Sequence, residues 1–347
     1  MDAAGSRRRL GIGYCSSPMA TPTFALTFDT ELIWGSFDHL TAAEFERRYP
    51  DVRGVIAAIL ALLESYQVPA TWAVVGHLYL NACGRSTTGD AHAELPHPRQ
   101  SWRDEDWYAR DPCTDRGRDP LWYGDDIVES LLNAAGGQEI GCHSFAHALY
   151  GDSAMTAAAA RADVERCLDL AHARGVSLRA FVFPRNVEGH HAVLRDAGFT
   201  AYRGADPTWH AGLGGVVGRS ARYLDHFAAL PPPVTEPSET LPGLWNVPGS
   251  MLLLHRSGAR RYVSLEARIR KAQRGLEAAR ERQRVFHLWT HPFNLASDPR
   301  GLLRVLERIV HDAAVMREQG QLAIETMSAI ADGMSVGSAA TEPAEQP

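Results

Sequence analysis

Residues 138–147 read Gln-Glu-Ile-Gly-Cys-His-Ser-Phe-Ala-His, with two histidines, His143 and His147, four positions apart just past a short strand-like run. On one turn of helix, or in a tight loop entering one, positions i and i+4 project the same way. Two imidazoles held so can grip one divalent ion. Spacing alone is weak support. With 15 histidines in 347 residues, about 0.65 such pairs arise by chance. A second pair, His287 and His291, is present, so the first pair must find its third ligand elsewhere in the chain.

Outward from this stretch, strand-like and helical segments alternate. Thr23–Phe28 (TFALTF) is β-rich and apolar and ends at Asp29, as a buried strand delivering a carboxylate at its C-terminal end. Helical spacing over 51–66 is followed by a buried strand over 69–75. After the interval 84–123, helix and strand patterns resume: helices over 125–135, 155–174 and 189–197, strands over 139–143, 178–183 and 199–202. Beyond 204–243 come a strand-like run at 244–254, a charged helix at 264–284, a strand at 285–289, a helix at 299–319, a strand at 321–325 and a helix at 327–332. Alternation of this kind implies a parallel sheet with helices outside it, and roughly seven units suit a barrel better than an open sheet. The expected fold class is therefore α/β, a distorted (β/α)7 barrel with long loops at the catalytic face. The interval 84–123, polar and carrying Trp102, Trp107, Trp122 and Tyr123, is expected to be a substrate-side loop. The proline-containing 204–243 is expected to be a long loop. Residues 1–21 read as a flexible leader, 22–333 as the catalytic domain and 334–347 as a solvated tail.

Composition narrows the class. The chain is 45% hydrophobic and 22% charged with net charge −6, as in a globular enzyme and without a basic footprint for nucleic acid. Lys271 is the only lysine, which reads most simply as a coding bias toward arginine. Five scattered cysteines without CxxC spacing argue for reduced thiols rather than a disulfide framework. The arginines at 7–9 lack a following apolar core, and no apolar run is long enough to span a membrane. A cytoplasmic address is expected.

Several candidates fall at strand ends, where barrel enzymes place their chemistry. Asp29-Thr30-Glu31 offers two carboxylates facing the same way. One can complete a His/His/carboxylate metal triad and the other can act as general base on a metal-bound water. His287 and His291 cannot share an ion if 285–289 is a strand, because four strand residues span about 13 Å. His287 then becomes a core or supporting residue, while His291 faces the pocket as general acid. Arg185, between Pro184 and Asn186, is placed to orient the catalytic carboxylate or to bind substrate. His77, His97, His190, His191, His210 and His255 receive no role.

Taken in order, Thr27-Phe28-Asp29-Thr30-Glu31, His143-Ser144-Phe145-Ala146-His147, Phe181-Val182-Phe183-Pro184-Arg185-Asn186 and Leu288-Trp289-Thr290-His291 resemble the motifs of polysaccharide deacetylases, the chitooligosaccharide-deacetylase homology group of carbohydrate esterase family four. The resemblance spans about residues 22–330 and implies a distorted (β/α)7 barrel with metal-dependent removal of an acetyl group. It implies Asp29 as base, Glu31, His143 and His147 as metal ligands, His291 as acid and Arg185 as counterpart of the family arginine. Zinc, or another divalent transition metal, is the implied cofactor, and an N-acetylated sugar or glycoconjugate the implied substrate. Backbone amides near 184–187 would hold the oxyanion. Two departures stand out: Thr30 separates carboxylates that are usually adjacent, and Arg185 follows a single proline instead of preceding two. The rivals are a hydrolase of a cyclic amide or imide and a non-catalytic sugar-binding relative.

Overall fold

A computed structural model describes residues 21–339; residues 1–20 of the leader expected over 1–21 and the last eight residues lie outside the described part. Ten strands follow in chain order: β1 Thr23–Thr30, β2 Thr71–Val74, β3 Glu139–Cys142, β4 Ala180–Val182, β5 Ala201–Arg203, β6 Ser238–Leu241, β7 Leu244–Asn246, β8 Met251–Leu252, β9 Val285–Thr290 and β10 Ala323–Ile324. The helices are α1 Ala42–Arg48, α2 Val52–Tyr66, α3 Asp125–Leu132, α4 Ala157–His172, α5 His191–Asp196, α6 Gly215–Phe227, α7 Leu265–Arg282, α8 Pro292–Ala296, α9 Pro299–Glu318 and α10 Met327–Ala339.

The strands form one sheet in the order β6-β7-β5-β4-β3-β2-β1-β9-β8, parallel except for the β6–β7 pair, while β10 pairs with the start of β1. The sheet curls into the expected distorted (β/α)7 barrel. Its two ends meet through residues 247–250, where Val247 and Gly249 donate to β5-side carbonyls (Tyr202, Gly204) and Ser250 donates to His287 of β9.

β1 shows how the sequence selects the two faces. Phe24, Leu26 and Phe28 pack outward against the helices, while Ala25 lies in a separate inner cluster with Ala73, Ala180 and Ala201 of neighbouring strands. Side chains alternate along a strand, so Thr27 and Asp29 share the inner face with Ala25. Alanines let the strands close tightly, and Met327, Ile330 and Ala331 of α10 pack into the same cluster from the N-terminal end of the strands. α2 buries Val52, Val55, Ile56, Ile59 and Leu63 at helical spacing, and Asp51 caps its start by accepting from Gly54 N–H.

Several expectations are corrected. The region 204–243 holds the thirteen-residue helix α6, whose glycine-containing start and unusual inward face (Gly218, Ala221, Asp225) mask it, because Val216, Val217, Leu224 and Phe227 point outward. The tail expected from 334 remains helical to Ala339. The 84–123 excursion is packed rather than draped: Trp107, Tyr108, Trp122 and Tyr123 are buried, and Trp102 is the exposed tryptophan there. Lys271 is also more than a compositional remnant. Its buried ammonium donates to Asp225 and to the Leu230 carbonyl, tying α7 to α6.

Candidate metal centre and catalytic site

The His143–His147 segment is a turn, not a helix, and its backbone is held by bonds to neighbouring segments. Gly76 and His77 donate to the carbonyls of Ser144 and Phe145, the Trp107 indole donates to Ala146 at 2.7 Å, and Phe145 N–H donates to Asp163 at 2.6 Å. Ser144 Oγ accepts from Ala148. These bonds hold Ser144 and His147 at φ +64° and +59°, a conformation that costs non-glycine residues about 1 kcal/mol or more and persists only where the surroundings over-determine it.

The turn aims both imidazoles at Glu31. His143 Nε2 lies 3.1 Å and His147 Nε2 2.9 Å from Glu31 Oε2, and all three residues are buried. His143 Nδ1 faces the Val182 carbonyl at 2.8 Å and must carry the proton there. Its Nε2 lone pair is thereby turned toward a carboxylate oxygen. Donor atoms of the three residues lie within 4.8 Å of one another, and the set presents electron pairs toward a common point, so it fits a divalent cation. Glu31 needs Gly35 beneath it, because a Cβ at Gly35 would stand 1.9 Å from Glu31 Oε1. Burial alone would raise the Glu31 carboxyl, but His147, His291 and His143 outweigh it and hold it well below the usual range. Burial lowers His147, with facing Glu31 pulling the other way.

Asp29 stands two residues earlier with a different partner. Arg203, at the end of β5, donates to both its oxygens at 2.6 Å, and both side chains are buried. Burial pushes the Asp29 carboxyl up, yet the Arg203 guanidinium more than offsets this and leaves it below the ordinary value. The guanidinium also lies 4.2 Å from the Trp289 ring centroid. His291 Nε2 is 3.7 Å from Asp29 Oδ2 and 3.3 Å from Glu31 Oε1, and it is 18% exposed at its side chain, so solvent or substrate can reach it.

Of the residues expected from sequence, Asp29, Glu31, His143, His147 and His291 come together. Arg185 does not reach Asp29. Its guanidinium donates to both oxygens of Asp38 at 2.7 Å and lies 5.8 Å from the Trp102 ring, because Arg185 sits in a short turn at φ +54° that aims it toward Asp38. Arg203 occupies the orienting position. It closes a three-residue strand with no motif around it, so no sequence signal marks it. The Asn186 and Val187 amides, expected near an oxyanion, donate instead to the carbonyls of Phe183 and Pro184. His287 is buried between Thr27 Oγ1 at 2.5 Å and the Val247 carbonyl at 3.1 Å, in the supporting position expected of it.

A cavity of about 750 Å³ adjoins the site through Asn186 and Trp289 and extends between α6 and residues 250–263. None of residues 84–123 lines this cavity; the excursion meets the site on another side, where the Trp107 indole is bonded to the Ala146 carbonyl. Asp206 faces this cavity and accepts from the Trp289 indole at 2.9 Å. Burial pushes its carboxyl up to about 6, against the pull of Trp289 and Arg203.

No curated protein matches the sequence. Among solved structures, a Mycobacterium smegmatis protein carrying the polysaccharide deacetylase name is 15% identical, with 97% of each chain covered and a TM-score of 0.60. A probable polysaccharide deacetylase from Pseudomonas aeruginosa PAO1 is 12% identical, with 94% of this chain and 97% of that one covered and a TM-score of 0.52. At these identities the likeness is one of fold. The sequence model of the polysaccharide deacetylase family matches residues 17–202, more than half of the chain, and that stretch carries Asp29, Glu31, His143 and His147; the chain belongs to the polysaccharide deacetylase family.

Proposed function

We propose that this protein is a metal-dependent deacetylase that hydrolyses the N-acetyl group of an amino sugar or of a glycan or glycoconjugate precursor. The observation that carries this reading is the convergence of Glu31, His143 and His147 beside an Asp29 clamped by Arg203. Two imidazoles and one carboxylate with an open side suit zinc or a similar divalent ion. When bound, such an ion polarises the acyl oxygen and lowers the pKa of a water.

The chain's own groups divide the remaining work. Asp29 accepts the proton of the attacking water, and Arg203, gripping both carboxylate oxygens, keeps the base ionised and aimed. As the carbon–oxygen bond forms and the carbon–nitrogen bond breaks, His291 Nε2 gives a proton to the departing amine and acetate is released. The polar lining of the adjoining cavity, with Asp206, His210, Arg219 and Lys271, suits a sugar carrying further polar groups.

The test is mass spectrometry of zinc-loaded protein incubated with a panel of N-acetylated sugars and glycosides. Loss of one acetyl group, absent after His147→Ala, supports the reading. Opening of a cyclic amide or imide with every acetylated sugar untouched would move the activity to the rival carbon–nitrogen hydrolase.

A further inference from the structure

The proposed deacetylase reading uses none of the histidines or cysteines of the packed excursion, yet side chains of this segment and of its N-terminal flank converge. His77, just after β2, Cys83, His92 and Asp111 bring one donor atom each to within 4.8 Å of one another. They share no residue with the Glu31-His143-His147 set. His77, His92 and Asp111 are buried and Cys83 is half-buried.

The donor geometry points to a cation. His77 Nδ1 faces the Trp122 carbonyl at 3.0 Å, so the proton sits there and the Nε2 lone pair is turned inward. That Nε2 makes no hydrogen bond, although the side chain is 0% exposed and Asp111 Oδ2 is 3.0 Å away. His92 Nε2 lies 2.8 Å from the same oxygen, and Cys83 Sγ 3.6 Å. Three buried or half-buried donor atoms crowded on one buried carboxylate oxygen, one of them without hydrogen-bond geometry toward it, form a costly arrangement unless a positive charge is shared among them.

The surroundings complete the picture of a ligand shell. Asp111 Oδ1 accepts from Cys113 N–H at 2.9 Å. Thr114 N–H donates to the Tyr123 hydroxyl at 2.7 Å, which leaves the hydroxyl proton free to face Cys83 Sγ at 3.3 Å. His77, Cys83 and Asp111 thus have outer partners that fix their orientation, as metal ligands do. Tetrahedral zinc, with bonds of about 2.0–2.3 Å, separates its ligand atoms by about 3.3–3.7 Å. The Cys83–Asp111 separation already fits, and the two imidazoles need to retreat from Asp111 by a few tenths of an ångström.

We propose that His77, Cys83, His92 and Asp111 form a second zinc site, structural rather than catalytic, that fastens the 83–111 segment beneath the primary centre. A thiolate and a carboxylate offset the dication, and four protein donors leave no open position for substrate. The fastening has an address. The rings of His77 and His92 pack 5.6 and 5.1 Å from Phe145, and His77 N–H donates to the Phe145 carbonyl, midway between His143 and His147.

The primary set contains no sulfur, so a cobalt-loaded full-length protein separates the two sites spectroscopically. The expected result is a thiolate-to-cobalt charge-transfer band at one equivalent, retained in His147→Ala and Cys113→Ser and lost in Cys83→Ser. Zinc content should be two ions per chain, falling to one in the His143→Ala/His147→Ala double variant. Absence of the band in the wild-type protein, which needs no variant to fold, overturns the proposal. So does its survival in Cys83→Ser, its loss in Cys113→Ser, or a wild-type content of one ion that the double variant removes. Because none of these readouts involves turnover, they stand apart from the test of deacetylation.

Discussion

Arg203 and Asp29, 174 residues apart in the chain, form a buried ion pair in which both carboxylate oxygens accept from the guanidinium at 2.6 Å. The planar fork fixes the carboxylate plane as a single ammonium cannot. Arg203→Lys should keep the charge but lower kcat by about 10²-fold, the lower range for a misaligned general base. Arg203→Ala should also destabilise by about 3–5 kcal/mol, since it leaves Asp29 buried and unpaired. Arg185→Ala, which breaks a part-exposed pair with Asp38, should leave kcat within about twofold. Steady-state kinetics with thermal melts decides, and a larger kcat loss in Arg185→Ala would return the orienting role to Arg185.

The two carboxylates of the first motif should fail in different ways. Asp29→Asn should keep the primary ion while kcat falls by about 10²–10⁴-fold. Glu31→Gln should lose one ion per chain, with activity partly restored by excess zinc. Elemental analysis beside kinetics checks this, and exchanged phenotypes would exchange the two roles.

Gly35 supports the site only by being small. Gly35→Ala puts a methyl group where the Glu31 carboxylate lies, and the side chain must swing away from His143 and His147. The expected outcome is a loss of about 10–100-fold in zinc affinity at the primary centre, comparable to removing an outer support of a metal site, with little change in the thermal midpoint. Competition against a chromophoric chelator measures it. Unchanged affinity would mean that Glu31 is not a ligand or that it reaches the ion by another rotamer.

His287 should give the fold an acid limb. Burial, aided by Arg203, pushes its pKa down from 6.5 to about 3. The unfolded chain therefore binds a proton between those values that the folded chain refuses, and stability rises with pH across the window. The contribution is complete above pH 6.5 and is lost as pH falls toward about 3. Urea midpoints of wild type and His287→Gln, compared over this range, should converge on acidification. A constant difference would show that His287 does not titrate with unfolding.

Within the excursion, Trp107 and Trp102, two of its three tryptophans, should behave oppositely. Trp107→Ala removes a buried ring and the indole bond to the Ala146 carbonyl, and should cost about 3–5 kcal/mol. Trp102, 49% exposed beside Arg185, should tolerate alanine with a change of about 0.5 kcal/mol or less. A raised KM in Trp102→Ala at unchanged melting temperature would keep this ring as a substrate contact. Unchanged kinetics would confine the excursion to packing.

The sequence by itself determined the parts whose signal is local. Alternation of short apolar runs with amphipathic helices announces a parallel barrel, since each period reports which face is buried. Asp29, Glu31, His143, His147 and His291 stand out because they follow buried strands, and strand ends in such barrels share one face. What no local pattern carries is the identity of partners brought together by the closing of the sheet. Arg203 ends an unremarked strand, and only the neighbouring positions of β5 and β1 across the curled barrel bring it to Asp29; Arg185, with the better motif, is turned away by its backbone. The excursion reads as a substrate-side loop because it is polar and irregular, yet its Trp107 and His92 find buried partners in the turn of His143–His147. Likewise α6 hides because its apolar residues face outward, against the rule that makes helices readable. Tertiary structure decided these points because burial and charge pairing depend on distance in space, and for Arg203 and Asp29 that distance is 2.6 Å across 174 residues of chain.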